Sequence, residues 1–423
     1  MARLVEVSEM VRSTVKTVEP ESVVSKRRRR RSAGSDSGKK NGDGWRRTTS
    51  DQILLNMSTR LGAISQRQAV KYVYDTTEKN VQRRVQFMVE AGLLQRIDTL
   101  PWAGTVLWPT RAGRIVGVGE DSPLVEMEPP SITTMLHRLL VAEEALKASL
   151  VHHRAVFTER EIQVCQARGG DYLYQMLEDA GVRRSAGGTA GVVPTKTFAD
   201  LDGRGRREIE AWLVVPMTHG DTDVRSPDFI EVTERGTLRA VEVELTAKAN
   251  QRTRNILASY RDCVTGHGEV MRGQGWTLQK AKQHLRQFES VRWVCTHPVY
   301  DLLRGPEGGI NPMTHKPDKG MVREVWDESL SSFLFFEKPD TWKLDKTRWP
   351  ISCELIDIAH DPGLEYELLQ RSLPPTYRCS YSAWRKWRRI WKTDVAGDTN
   401  PVGFEQWLRF PGNYRRCLEA AGR

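Results

Sequence analysis

The stretch SPDFIEVTERGTLRAVEVELTAKANQ, residues 226–251, decides how the rest of the chain is read. Two strand-like runs, Phe229–Thr233 and Leu238–Leu245, flank a short turn of Glu234, Arg235, Gly236 and Thr237, which predicts a β-hairpin. From about Thr246 to Arg261 the pattern turns helical. Asp228 stands at the entry of the first strand. Glu242 and Glu244, two apart in the second strand, share one of its faces. A hairpin closed in this way brings three carboxylates together. Like charges on so small a patch repel each other unless a divalent cation sits among them. In phosphodiester chemistry a Mg²⁺ or Mn²⁺ ion in that place activates water and neutralises the scissile phosphate. The spacing leaves a second reading open, with alternating acids on the polar face of an edge strand and Pro227-Asp228 as an ordinary turn.

Downstream lie an apolar strand, Val291–Thr296, and a helical start at Val299–Leu303. Hairpin, helix, strand and helix in this order resemble the core of the PD-(D/E)XK nuclease fold. The resemblance implies a first acid at Asp228, a second at Glu242, and a lysine at the position where this chain has Glu244. Lys248, one helical turn further on, stands in for that lysine, or else cleavage has been lost and only the scaffold remains. The candidate catalytic residues are therefore Asp228, Glu242, Glu244 and Lys248, with Asp228, Glu242 and Glu244 as metal ligands. Upstream, Glu208–Val215 reads as the first core strand, with Glu208 and Glu210 as its ordinary polar face or one of them lending a further acid. His152 and His153 are adjacent, so they do not face one way on a helix or a strand and read as surface histidines.

The second informative region runs from Ser50 to about Val118. Ile53, Leu54, Met57 and Leu61 recur at helical spacing, and Gly62 ends that helix. Ser65-Gln66-Arg67-Gln68 has capping-box form and opens a second helix. From Glu78 to Ala91, Val81, Val85, Met88 and Val89 make an apolar face, and Gly92 caps the third helix. Two strands, Leu93–Ile97 and Thr105–Pro109, follow around a loop. Three helices and a two-stranded wing resemble a winged helix-turn-helix, in which the third helix enters the major groove. Lys79, Arg83, Arg84 and Gln86 are the residues this reading turns towards DNA. Such modules also serve as protein contacts.

Charge sharpens the picture. Residues 26–47 hold ten basic side chains and two acids, and residues 371–423 hold eleven and four, which leaves about −5 on the remainder of a chain whose net charge is +10. Basic ends around a mildly acidic body suggest a polyanion held at the ends. The run Arg27, Arg28, Arg29, Arg30 and Arg31 in a Ser/Gly-rich segment reads as a disordered phosphate-binding arm. Near the other end Trp384, Trp387 and Trp391 share a helical face, beside Arg385, Lys386, Arg388 and Arg389. That spacing predicts an aromatic core with a cationic surface free to bind phosphate. Six scattered cysteines without a C-x-x-C pair argue against a zinc finger or a disulfide framework and for a reducing cytoplasm. No apolar run of membrane-spanning length is present, so no membrane partner is expected.

Taken together, the sequence predicts an α+β, multidomain chain. Its parts are a disordered basic arm at 1–48, a winged helix at 49–120, a helical connection and PD-(D/E)XK-like core at 130–305, a linker or extension at 306–370, and a basic, Trp-rich helical tail at 371–423. The segments RLGAISQRQAVKYVY, VQRRVQFMVEAGLLQR with TRAGR after it, and PDF…VEVELTAK resemble the replication-relaxation family of bacterial mobile elements. That resemblance implies a DNA-binding protein of a plasmid, phage or integrative element, acting in replication, transfer or maintenance beside other proteins of those processes. A metal-dependent endonuclease or nickase and a winged-helix transcription regulator are the alternatives.

Overall fold

The computed structural model describes residues 46–98, 100, 102–128, 131–168, 170–182, 184–185, 193–194, 215–216, 224–246, 248–265, 287–305, 320–325, 350–357, 361–372, 378–396, 404–408 and 410–421. The arginine run at 27–31 and the acids Glu208 and Glu210 lie outside these residues. Helices and sheets alternate in a mixed α+β architecture. Among the described residues no helix is long and apolar enough to cross a membrane.

The first unit is three helices and a small sheet. Helix α1 (Thr49–Leu61) starts at a capping box between Thr48 and Asp51 and stops at Gly62, whose φ of 93° suits a residue without a side chain. Strand β1 (Ile64–Ser65) leads into α2 (Gln66–Gln68), which continues as a π-helical turn, Ala69–Val73. The expected capping box is present, with the Ser65 side chain accepting from the Gln68 backbone N–H and Gln68 answering at the Ser65 N–H. Helix α3 spans Glu78–Glu90. Strands β2 (Leu94–Ile97) and β3 (Val106–Pro109) pair antiparallel, and β3 also pairs with β1, giving the order β1-β3-β2. Helix α4 (Arg111–Val118) packs tightly on α1. A Cβ at Gly113 would meet the Leu93 carbonyl oxygen at 1.9 Å, and one at Gly117 would meet that of Leu55 at 2.6 Å.

One buried acid ties the three helices. Asp51 caps α1, accepts from the Tyr74 hydroxyl at 2.7 Å, and is paired with Arg84 of α3. Burial and the bond to Asp51 push the Tyr74 hydroxyl well above its ordinary range.

The larger sheet has five strands in the order β12-β11-β10-β9-β4. The predicted hairpin is β9 (Phe229–Val232) and β10 (Leu238–Glu244), antiparallel, with Ala240 opposite Ile230. Its turn is closed by Thr233 and Thr237, whose hydroxyls lie 2.6 Å apart, and by Gly236 at a φ of 72°. Helix α8 (Asn250–Thr265) then crosses over to β11 (Ser290–Cys295), which runs parallel to β10. β12 (Ile351–Leu355) is parallel to β11, so the segment 306–370, read from the sequence as a linker or extension, supplies a strand to the sheet. Beyond β9 the sheet continues with β4 (Val156–Thr158), antiparallel, while the strand expected at Glu208–Val215 lies outside the described residues except at its last position. Of that stretch only Val215 is described, at the start of β7 (Val215–Pro216), which pairs with β8 (Val224–Arg225). A further two-residue pair joins β5 (Arg184–Ser185) to β6 (Val193–Pro194).

Strand alternation gives the sheet two buried faces. Ile230, Leu238, Ala240, Val291 and Trp293 face α8 together with α6 (Glu159–Arg168), α7 (Gly170–Asp179) and α9 (His297–Arg304). Phe229, Val241, Val243 and Val294 face α5 (Met135–Leu146) and share one continuous core with α1, α2 and α3. The three-helix unit is therefore fused to the sheet and not tethered beside it. Ion pairs strengthen the seam, among them Arg60–Glu161 at 2.7 Å and Arg292–Glu144 at 2.6 Å. A third core joins α10 (Pro362–Ser372), α11 (Tyr381–Asp394), α12 (Phe404–Leu408) and α13 (Pro411–Ala421) around Trp384, Trp387 and Trp407. Asp361, at the start of α10, clips this unit to the second helix through Arg67 at 2.8 Å.

Candidate active site and nucleic-acid interface

The hairpin brings Asp228 and Glu242 into one neighbourhood, close enough for the Asp228 charge to act on the Glu242 carboxyl. Each of the three acids also meets a basic side chain of the protein: Asp228 meets His137, Glu242 meets Arg225 and Glu244 meets Lys248. One Asp228 oxygen accepts the backbone N–H of Val243 at 2.7 Å, and the other lies 3.3 Å from His137 Nε2. The same ring nitrogen is 3.0 Å from the Val243 carbonyl oxygen, so it faces two acceptors and must carry a proton. Glu242, 1% exposed, is gripped by Arg225, with Nε 3.1 Å from one oxygen and Nη2 2.6 Å from the other. The Tyr260 hydroxyl of α8 donates to the first of these oxygens. Glu244 is paired with Lys248, one helical turn on.

The electrostatics follow from this packing. Burial disfavours charge on His137, but the bond to Asp228 and its carboxylate outweigh that and hold the imidazole above its ordinary value. Burial likewise works against the Asp228 carboxylate. His137, the Val243 N–H and Arg225 overcome it and hold the carboxyl below the ordinary range. Glu242 holds the Arg225 guanidinium protonated far above its usual value. Burial pushes the Glu242 carboxyl up, against the pull of Arg225. The oxygens expected to hold a Mg²⁺ or Mn²⁺ ion thus face the His137 ring and the Arg225 guanidinium, and Lys248 faces Glu244. Among the described residues no group of three or more His, Cys, Asp and Glu side chains is placed to hold a metal ion.

The expected DNA-facing residues divide cleanly. On α3, Lys79, Gln82, Arg83 and Gln86 are exposed, while Val81, Val85 and Met88 are buried. Arg96 of β2 reaches Gln86 Oε1 at 3.4 Å, placing a third cation beside that face. Arg84 does not join it, because its guanidinium is turned into the buried Asp51. The tail divides in the same way. Arg385, Lys386, Arg389 and Lys392 are exposed on α11. Arg388 is held by Glu365 at 2.5 Å and lies over the Trp384 ring. Trp384 and Trp387 are each 1% exposed, so they form the core and offer no stacking surface for bases.

Three residues of the acidic site escaped the sequence reading: His137, Arg225 and Tyr260. Leu136, Leu139 and Leu140 recur at helical spacing as the apolar stripe of α5, and nothing local marks His137 between them. Arg225 is three residues before Asp228, a proximity that is itself a usable signal for a counter-ion. No protein-family model matches the chain, and no curated protein or solved structure matches it either.

Proposed function

We propose that this chain is a DNA-binding protein that docks a winged helix-turn-helix on duplex DNA and uses a PD-(D/E)XK-like core as a rigid platform. The observation that carries the proposal is the division of α3. One face is sealed into the core, and the other presents Lys79, Gln82, Arg83 and Gln86 beside a short antiparallel wing. A helix of this kind fits the major groove, where side chains of these types reach base edges and phosphates. The exposed cations of α11 add a second phosphate contact without base stacking. Replication, transfer or maintenance of a mobile element is the setting that the replication-relaxation resemblance supports, and transcription control would use the same docking step. Titration of labelled duplex at several salt concentrations tests the proposal. Affinity should fall steeply with salt as counterions are released. No binding even at low salt would remove the proposal.

A second reading, a metal-dependent endonuclease or nickase, is favoured by one observation. The hairpin, crossover helix and parallel strand leave Asp228 and Glu242 near enough for the charge of one to act on the other. Nicking of supercoiled plasmid with Mg²⁺ or Mn²⁺ decides it, with Asp228→Ala, Glu242→Ala and Lys248→Ala as controls. Activity lost in all three variants would establish the enzyme. Against this reading stand the cations already paired with each acid.

A further inference from the structure

Of the three basic side chains that meet the acids, Arg225 is held most specifically. Its guanidinium meets Glu242 as a two-point fork, at 3.1 and 2.6 Å, and the planar match of guanidinium to carboxylate is the strong form of this pairing. Tyr260 occupies the side of Glu242 Oε1 that faces α8. The Arg225 charge reaches Asp228 as well. A divalent ion shared by Asp228 and Glu242 would have to displace these hydrogen bonds and sit at contact range of the half-buried Arg225 charge. The backbone keeps Arg225 in place, since the β7–β8 pair fixes it only three residues before Asp228. One segment therefore delivers both an acid and its neighbour's counter-ion.

We propose that Arg225 is a built-in counter-ion that closes the Asp228–Glu242 pair to divalent metal ions, so that the core holds its acids together without a metal. The inference rests on reading the core as a platform. It explains how the hairpin stays folded with a buried carboxylate.

Two readouts on the full chain test the idea: uptake of Mn²⁺ by loss of the free-ion paramagnetic resonance signal, and Tm against added Mn²⁺. The wild type should leave both unchanged. Arg225→Ala should take up Mn²⁺ and gain roughly 5 °C or more in Tm at saturation. That gain should vanish in Arg225→Ala with Asp228→Asn. Should Arg225→Ala not fold, Arg225→Gln removes the charge but keeps a donor for Glu242, and it should take up Mn²⁺ where the wild type takes up none. Wild-type uptake equal to that of the variants overturns the proposal, as does a folded Arg225 variant that takes up none. Duplex titration of the wild type is independent of both, so failure of the docking proposal is distinguishable from failure of this one.

Discussion

Replacing Arg225 by methionine keeps the length of the side chain and removes its charge. Glu242 is then left 1% exposed, with Tyr260 as its remaining hydrogen-bond donor among the described residues. Removing one member of a buried ion pair costs about 3–5 kcal/mol, most of it the burial of an uncompensated charge. The Arg225 side chain is 24% exposed, so water softens the loss and the lower end, about 3 kcal/mol, is expected. Near Tm that is a fall of roughly 6–12 °C for a unit of 150–250 residues. Adding Glu242→Gln removes the stranded charge and keeps an acceptor for Tyr260, so the double variant should recover about 2 kcal/mol. Urea unfolding of the four proteins gives the coupling directly, provided the slopes agree. A single-variant cost below about 1 kcal/mol, or no recovery in the double variant, would refute the buried-pair account.

Other outcomes follow from the same structure. His137 is raised and Asp228 lowered, so their mutual stabilisation is lost as pH rises through the histidine value or falls through the aspartate value. The stability lost in His137→Gln, measured by urea melts, should therefore be largest at mildly acidic pH and shrink as pH rises past the raised histidine value; a pH-independent loss would rule out the pair. Gly113→Ala should cost about 1–3 kcal/mol through the 1.9 Å clash with the Leu93 oxygen, read as a fall in the urea midpoint. Charge removal at Arg385, Lys386 and Arg389 together should reduce the salt slope of DNA binding by roughly 3 without altering site preference. Removing residues 1–48 should also lower that slope, and an unchanged slope would show that the arm does not touch DNA.

The readable parts of the chain were those in which one local period or one cap decides the structure. The capping box at Ser65–Gln68, the stop at Gly62 and the hairpin around Gly236 all stand where the sequence put them. Grouping Arg84 with Arg83, and Arg388 with Arg389, failed for a reason that the helical period itself contains. Arg84 is three residues after Val81 and four before Met88, which puts it on the edge of the buried face, where Asp51 meets it. Arg388, four residues after Trp384 and three before Trp391, stands likewise on the edge of the aromatic face, and Glu365 meets it there. Non-local placements were harder to read. Strand β12 is a short segment far along the chain that only sheet pairing identifies. The acids were legible as a cluster, but their partners were not. His137 comes from α5, Arg225 from β8 and Tyr260 from α8, so their meeting is a property of the packed sheet faces and of no single motif.

The central claim, that the exposed face of α3 docks on DNA, is tested most directly by fluorescence anisotropy with a labelled duplex. Lys79→Ala with Arg83→Ala should raise Kd about tenfold or more and leave Tm within about 1 °C of the wild type, because both side chains are exposed. An unchanged Kd for this double variant, with the fold intact, would contradict the account.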